Sequence, residues 1–162
     1  MKNILILVIL LTFVSCKSDK ISEQSVDLSN RAVKFFTSEK YSDALKYSEE
    51  AILADEKNYQ VYTLKAQILI KKNKLNEPEE TIQEQLKIKP EFAEAYTFKG
   101  LINILNGNKI KADQGFIKSI QLFEKRNNDN NCDPQINDTN IYFSLLLIGD
   151  LKSVSSPKNS TV

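Results

Sequence analysis

The chain of 162 residues contains no histidine and only two cysteines. Histidine is the commonest general base and the commonest metal ligand in proteins, so its absence excludes imidazole-based catalysis and most zinc sites. Thiolate chemistry would depend on Cys16 or Cys132 alone. The sequence therefore favours a binding function over an enzymatic one, and we expect neither a metal ion nor another cofactor.

Glycine and proline are also scarce, with four residues of each. An all-β chain needs many tight turns, which these two residue types supply, so the composition favours helices joined by short connections. Apolar residues make up 41% of the chain and charged residues 27%, as in folded, water-soluble proteins. The length suits one ordinary domain.

The longest apolar run lies at the amino terminus. Lys2 is followed by apolar residues from Ile4 to Leu11, and the run continues through Phe13 and Val14. A charged start followed by an apolar stretch shorter than the roughly 20 residues that span a bilayer is typical of a secretory signal. A buried core helix is the alternative interpretation of this run.

The tetrapeptide Phe-Val-Ser-Cys at residues 13–16 ends the apolar run. It resembles the lipobox of bacterial lipoproteins, in which a small residue precedes a cysteine that is acylated and becomes the new amino terminus. The resemblance implies a signal peptide over residues 1–15, a lipid on Cys16 and a tether over residues 16–24. It also implies export and a lipid anchor in the cell envelope, with the outer membrane as the expected location. Ordinary secretion with Cys16 unmodified is the alternative.

Removal of residues 1–15 takes away one charged residue, Lys2. The number of basic side chains falls from 22 to 21 and then equals the number of acidic side chains. Such a balance gives no electrostatic reason to expect nucleic acid or anionic lipid as a partner. Membrane contact is then expected through the lipid on Cys16. Cys132 would be the only free thiol, so no internal disulfide is expected.

A period of 34 residues organises the chain from residue 25 to residue 126. Similar residues recur in step, namely Ala32, Ala66 and Gly100, then Ala44, Pro78 and Ala112, then Ile52, Leu86 and Ile120. In the first unit, apolar residues fall at helical spacing on both sides of a polar break at residues 37–40. Each unit is therefore predicted to form two antiparallel helices, with small residues where they cross.

These positions resemble the tetratricopeptide repeat family, whose unit of 34 residues folds as helix, turn and helix. The resemblance implies an all-α fold, a short right-handed α-solenoid of helix–turn–helix repeats with a carboxy-terminal capping helix. The predicted segments are repeat 1 at residues 25–58, repeat 2 at 59–92, repeat 3 at 93–126, a polar loop at 127–134, the capping helix at 135–151 and a disordered tail at 152–162.

Stacked repeats line a concave groove with the face of each first helix that points away from its second helix. By resemblance to the family, the groove positions are Ser29, Val33 and Phe36, then Thr63, Gln67, Ile70 and Lys71, then Thr97, Leu101 and Ile104. These apolar, hydroxyl and amide groups suit an extended or helical peptide better than a charged tail, because no cluster of lysine or arginine is present to clamp a carboxylate. Packing of Leu101 and Ile104 beneath the final helix is the alternative.

The predicted capping helix is apolar on all sides, with Ser144 as the only polar residue between Ile141 and Ile148. The end of a solenoid normally presents polar residues to water, so one apolar face is expected to lack a cover. An exposed apolar face marks an interaction site, and Leu145 is its representative position, for a partner protein or for a second copy in a homodimer. Cover by the carboxy-terminal tail, or a strand in place of the helix, are the alternatives.

The sequence thus predicts a non-catalytic adaptor or scaffold in the bacterial cell envelope, which binds a peptide or protein through the groove or through the apolar final helix. An immunity-type lipoprotein that neutralises one toxin is the alternative among binding proteins. A hydrolase that uses serine, lysine or paired carboxylates is the alternative from another class. The sequence offers that hydrolase neither a recognisable nucleophile with its base nor a glycine-rich phosphate loop.

Overall fold

The computed structural model describes residues 20–74, 77–128 and 134–149. Over these residues the chain forms seven α-helices and no strand, so the predicted all-α fold is confirmed. The helices are α1 (Glu23–Thr37), α2 (Tyr41–Ala54), α3 (Gln60–Lys71), α4 (Glu77–Ile88), α5 (Ala93–Leu105), α6 (Lys109–Asn128) and α7 (Pro134–Ile148). None of these helices is long and apolar enough to cross a lipid bilayer.

Several predicted features lie outside the described residues. These are the signal peptide, Cys16 with most of the tether, Cys132 in the polar loop, and the tail from residue 152. At the edges of the described segments, α1 begins within the predicted tether and α6 continues two residues into the predicted loop. The start of α1 has a local cause, because Ser22 is its N-cap and Ser22 Oγ accepts a 3.1 Å hydrogen bond from the N–H of Ser25.

The turn between the two helices has the same backbone geometry in all three repeats. The residues with positive φ are Glu39 at 60°, Asn73 at 59° and Gly107 at 73°, which stand one period of 34 residues apart. The N–H of the next residue donates to a carbonyl five positions earlier, from Lys40 to Phe35 at 2.9 Å, from Lys74 to Leu69 at 3.0 Å and from Asn108 to Asn103 at 2.8 Å. This pattern is the Schellman motif, which satisfies carbonyl groups at the end of a helix. The period in the sequence is therefore also a period of the backbone.

The same kind of turn follows α7. Gly149 has a φ of 82°, and its N–H donates to the carbonyl of Leu146 at 3.1 Å. Gly107 makes the equivalent bond to Ile104 at 3.0 Å. The last described helix therefore ends in the way that the first helix of each repeat ends.

The chain divides into two compact units, with the boundary inside α5 after residue 95. In the first unit, α1 and α2 pack closely through small residues that are fully buried, namely Ala32, Ala44 and Ala51. Aromatic rings pack beside them, with Phe35 stacked on Tyr47 at a centroid distance of 5.1 Å. The hydroxyl of Ser25 donates to the carbonyl of Ala51 at 2.8 Å, which adds a buried polar contact between the two helices.

In the second unit, α5 and α6 approach each other at glycines. A Cβ atom at Gly100 would lie 2.5 Å from Cε1 of Phe116, and one at Gly115 would lie 3.0 Å from the backbone N of Gly100. Only glycine permits so close an approach without a shift of a neighbour. α6 also packs against α7.

Candidate functional site

The first unit contains a cavity of about 270 Å³ on the face that the sequence predicts as a groove. Its lining comes from α1, from the loop before α3 and from α3 itself, and includes Ser29, Val33, Asn58, Val61, Leu64 and Gln67. None of the described residues that line it carries a charge. The cavity therefore combines apolar side chains with neutral amide and hydroxyl groups, which is the usual make-up of a binding pocket.

Three predicted groove positions meet in this cavity. Ser29 and Val33 reach it from α1, and Gln67 reaches it from α3. Val33 is 40% exposed, so it is accessible to a partner, whereas Gln67 is only 2% exposed. The Oε1 atom of Gln67 has no hydrogen-bond partner within the part of the chain that the structure describes.

The placement of Thr63 and Thr97 on the open groove surface is corrected by the structure. Both are buried, and both bond to the second helix of their own repeat. Thr63 Oγ1 accepts a 3.0 Å bond from Nε2 of Gln85, and the hydroxyls of Thr97 and Ser119 lie 2.5 Å apart. The physical reason is that a polar residue stands on α4 and α6 at the position where repeat 1 has Ala51.

Phe36 and Leu101 are also buried, contrary to the prediction that they line an open groove. Phe36 belongs to the core of the first unit, where its ring centroid lies 5.9 Å from that of Tyr41. Neither Phe36 nor Leu101 lines the cavity. Sequence spacing alone did not distinguish these residues from Val33, which occupies a similar helical face.

The remaining predicted positions are accessible but do not line the cavity. Ile70 and Lys71 are half-buried at the end of α3, and Ile104 is exposed near the end of α5. Leu145 is half-buried on α7. The cavity therefore unites only part of the predicted set. It adds five residues that were not predicted from the sequence, namely Asn30, Asn58, Gln60, Val61 and Leu64. For Asn58, Gln60 and Val61 the available signal was position, because they precede or begin the first helix of repeat 2.

α7 buries three polar side chains and exposes two large apolar ones. Asn137, Asn140 and Ser144 are buried, and their spacing places them on one helical face. Tyr142 is 49% exposed and Leu146 is 55% exposed. The sequence suggested a helix apolar on all sides, so this arrangement was missed, although the spacing of the asparagines was a usable signal. We call the surface formed by Tyr142 and Leu146 the α7 apolar face.

Within the described segments, no group of three or more acidic or cysteine side chains is arranged to hold a metal ion. Burial raises the pKa of the Tyr62 phenol, and the carboxylates of Glu84 and Glu56 raise it further. Tyr62 does not line the cavity.

No protein-family model matches this chain, and no curated protein matches it in sequence. Solved structures, however, share its fold. The type III secretion chaperone SycD of Yersinia enterocolitica, in complex with a peptide of the translocator YopD, is 12% identical with a TM-score of 0.66, over 85% of this chain and 100% of the chaperone. The tetratricopeptide repeat (TPR) domain of Sgt2 from Aspergillus fumigatus is 14% identical with a TM-score of 0.61, over 88% of this chain and 90% of that domain.

A third similar structure is a TPR domain of yeast Sti1, in a complex with pHsp70. It is 18% identical with a TM-score of 0.62, over 77% of this chain and 98% of that domain. At such identities the similarity shows the fold alone. The predicted fold class is thereby confirmed as an all-α solenoid of tetratricopeptide-like helix–turn–helix repeats.

Proposed function

We propose that this chain is a non-catalytic adaptor that binds a peptide or protein segment on the face of α1 and α3. The observation that carries the proposal is the cavity of about 270 Å³, in which exposed Val33 stands beside buried apolar and amide groups. The complexes of SycD with a YopD peptide and of Sti1 with pHsp70 support this role, because they show ligands bound by proteins of the same fold. The fold alone would not be enough, since one fold hosts many functions.

The experiment that tests this role compares partners captured in the native envelope. We would crosslink the tagged full chain, and the same chain with Val33→Glu, and identify the captured proteins by mass spectrometry. Leu53→Glu is the matched control, because Leu53 is an 86% exposed apolar residue of α2 that does not line the cavity. Loss of a specific partner with Val33→Glu alone supports the proposal. Unchanged partners with Val33→Glu would contradict it.

The proposal includes a lipid anchor on Cys16, in the cell envelope and specifically at the outer membrane. It is supported by the apolar run that begins at Ile4 and by the Phe-Val-Ser-Cys tetrapeptide at residues 13–16. Metabolic labelling with an alkyne fatty acid is expected to label the native chain and to leave Cys16→Ser unlabelled. Equal labelling of the two chains, or labelling of neither, would contradict acylation at this residue.

The α7 apolar face is a second proposed interaction surface, for a second copy of the chain. The favouring observation is that Tyr142 and Leu146 are both about half exposed on a helix whose buried face is polar. Burial of large apolar side chains against an identical face is a common basis for homodimers.

A further inference from the structure

The cavity contains a hydrogen-bond acceptor that the described part of the chain leaves unsatisfied. Gln67 is 2% exposed, lines the cavity, and has no hydrogen-bond partner for Oε1 among the described residues. Native proteins pair the great majority of buried polar atoms, so an unpaired one that lines a cavity needs an explanation. A donor from a bound ligand would provide the missing hydrogen bond.

Two polar side chains of the cavity wall donate hydrogen bonds to other residues. Asn58 donates from Nδ2 to Ser25 Oγ at 2.9 Å, and the hydroxyl of Ser29 donates to the carbonyl of Val26 at 2.8 Å. Redirecting the Ser29 hydroxyl to Gln67 would break one hydrogen bond to make another. A donor from outside the chain would satisfy Gln67 Oε1 and leave the two hydrogen bonds of the wall intact.

The charge of the wall restricts what that donor is. No described residue of the lining is charged, so a carboxylate in the cavity would meet the unpaired oxygen of Gln67 without a neighbouring cation. An ammonium group would lose its hydration without gaining a counter-ion. An uncharged N–H or O–H donor avoids both costs. The buried side chains of Val61 and Leu64 and the exposed side chain of Val33 offer aliphatic contacts beside it.

We infer that the cavity binds an uncharged segment of an extended peptide, with a backbone N–H donating to Gln67 Oε1 and a small aliphatic side chain packing on Val33, Val61 and Leu64. The inference rests on the proposed adaptor function and specifies its ligand class. Backbone hydrogen bonds then supply affinity, and the aliphatic contact selects the side chain. Acidic peptide segments are disfavoured at this site.

The test uses peptides selected from a random display library on the full chain, with Cys16→Ser, in mild detergent. Each selected peptide is compared with versions N-methylated at successive residues, because N-methylation removes one N–H donor. Fluorescence anisotropy gives the dissociation constant for the chain and for Gln67→Met, which is similar in size but lacks the acceptor. Gln83→Met is the matched control, because Gln83 is an exposed glutamine of α4 that does not line the cavity.

We expect one N-methylated position to weaken binding to the chain and to Gln83→Met by about tenfold, the effect of losing one partner of a buried hydrogen bond. Gln67→Met is expected to bind the N-methylated peptide and its unmethylated parent with equal affinity. The reason is that N-methylation and the substitution each remove the same hydrogen bond. Nuclear magnetic resonance of the chain without a substitution in the cavity gives a second measurement. The selected peptide is expected to shift the signal of the Gln67 side-chain amide. This second measurement does not depend on the folding of a variant.

The contrary results separate the two proposals. Selected peptides that require an acidic residue at the contact, or an N-methyl effect that persists in Gln67→Met, overturn the inference. If peptide binding is lost in Val33→Glu but does not depend on Gln67, the adaptor function stands and the inference fails. Selection of no specific binder overturns both.

Discussion

Gln85 on α4 donates a hydrogen bond of 3.0 Å from Nε2 to the hydroxyl oxygen of Thr63 on α3. The same amide nitrogen donates to the carbonyl of Tyr59 at 2.7 Å, and Gln85 is fully buried. One side chain thus bonds both to the residue before α3 and to its first turn. This arrangement ties the two helices of repeat 2 together by a polar contact, whereas Ala51 occupies the equivalent position in repeat 1.

Gln85→Ala is expected to lower the free energy of unfolding by about 2 kcal/mol, because it leaves buried polar atoms unpaired and opens a cavity. Urea denaturation followed by circular dichroism measures the change. Gln83→Ala is the matched control, since Gln83 is an exposed residue of the same helix. A loss no greater than that of Gln83→Ala would show that the Gln85 contacts contribute little to stability.

The periodic turns predict opposite effects of substitutions at equivalent positions. Glu39 has a φ of 60°, a conformation that costs an ordinary residue about 1 kcal/mol and glycine almost nothing. Glu39→Gly is therefore expected to stabilise the chain by up to about 1 kcal/mol, and Gly107→Ala to destabilise it by a similar amount. Thermal denaturation of the two variants checks both signs. Two shifts in the same direction would contradict this account of the turns.

The helical hairpins could be predicted because their cause is local and repeated. Apolar spacing defines the helices, and small residues such as Ala32 and Ala44 mark where they cross. The turn at Gly107 was recognisable from glycine, but the same turn at Glu39 was not, because its residue type does not favour a positive φ. At Glu39 the positive φ is accompanied by the Schellman hydrogen bonds, although the residue type does not favour it.

The candidate site was only partly predictable, because a family position does not fix the direction of a hydroxyl group. Thr63 was assigned to the groove, yet its hydroxyl meets Gln85, a partner 22 residues further along the chain. Thr97 and Ser119 are also 22 residues apart. The recurrence of a polar pair at this separation was the feature of the sequence that could have indicated these contacts. The unpaired oxygen of Gln67 could not be predicted from the sequence, since it depends on where the neighbouring donors lie in the folded chain.

The α7 apolar face predicts self-association that a single charge would weaken. Leu146→Glu is expected to raise the dimer dissociation constant at least about tenfold, because burying a leucine side chain contributes about 1.5–3 kcal/mol. Sedimentation equilibrium of the full chain in mild detergent measures this constant. Leu53→Glu, on an exposed leucine of α2, is expected to leave it unchanged. A native chain that stays monomeric at high concentration would exclude the homodimer.

The buried phenol of Tyr62 predicts a loss of stability at alkaline pH. Its pKa is raised above the ordinary value of 10.0, first by burial and then by the carboxylates of Glu84 and Glu56. The folded chain therefore keeps this proton to a higher pH than the unfolded chain does. The resulting contribution to stability is fully present below pH 10 and is lost as the pH rises through the raised pKa of the folded state.

Tyr62→Phe isolates this contribution, because phenylalanine cannot ionise. The free energy of unfolding of the native chain minus that of Tyr62→Phe is expected to be constant from pH 7 to about 9 and to fall above about pH 10. Urea denaturation at a series of pH values measures the difference, in which the titration of the other tyrosines and of the lysines largely cancels. A difference that does not change with pH would mean that the phenol ionises equally readily in the folded and unfolded chains, and a difference that rises would mean that the folded state favours the phenolate.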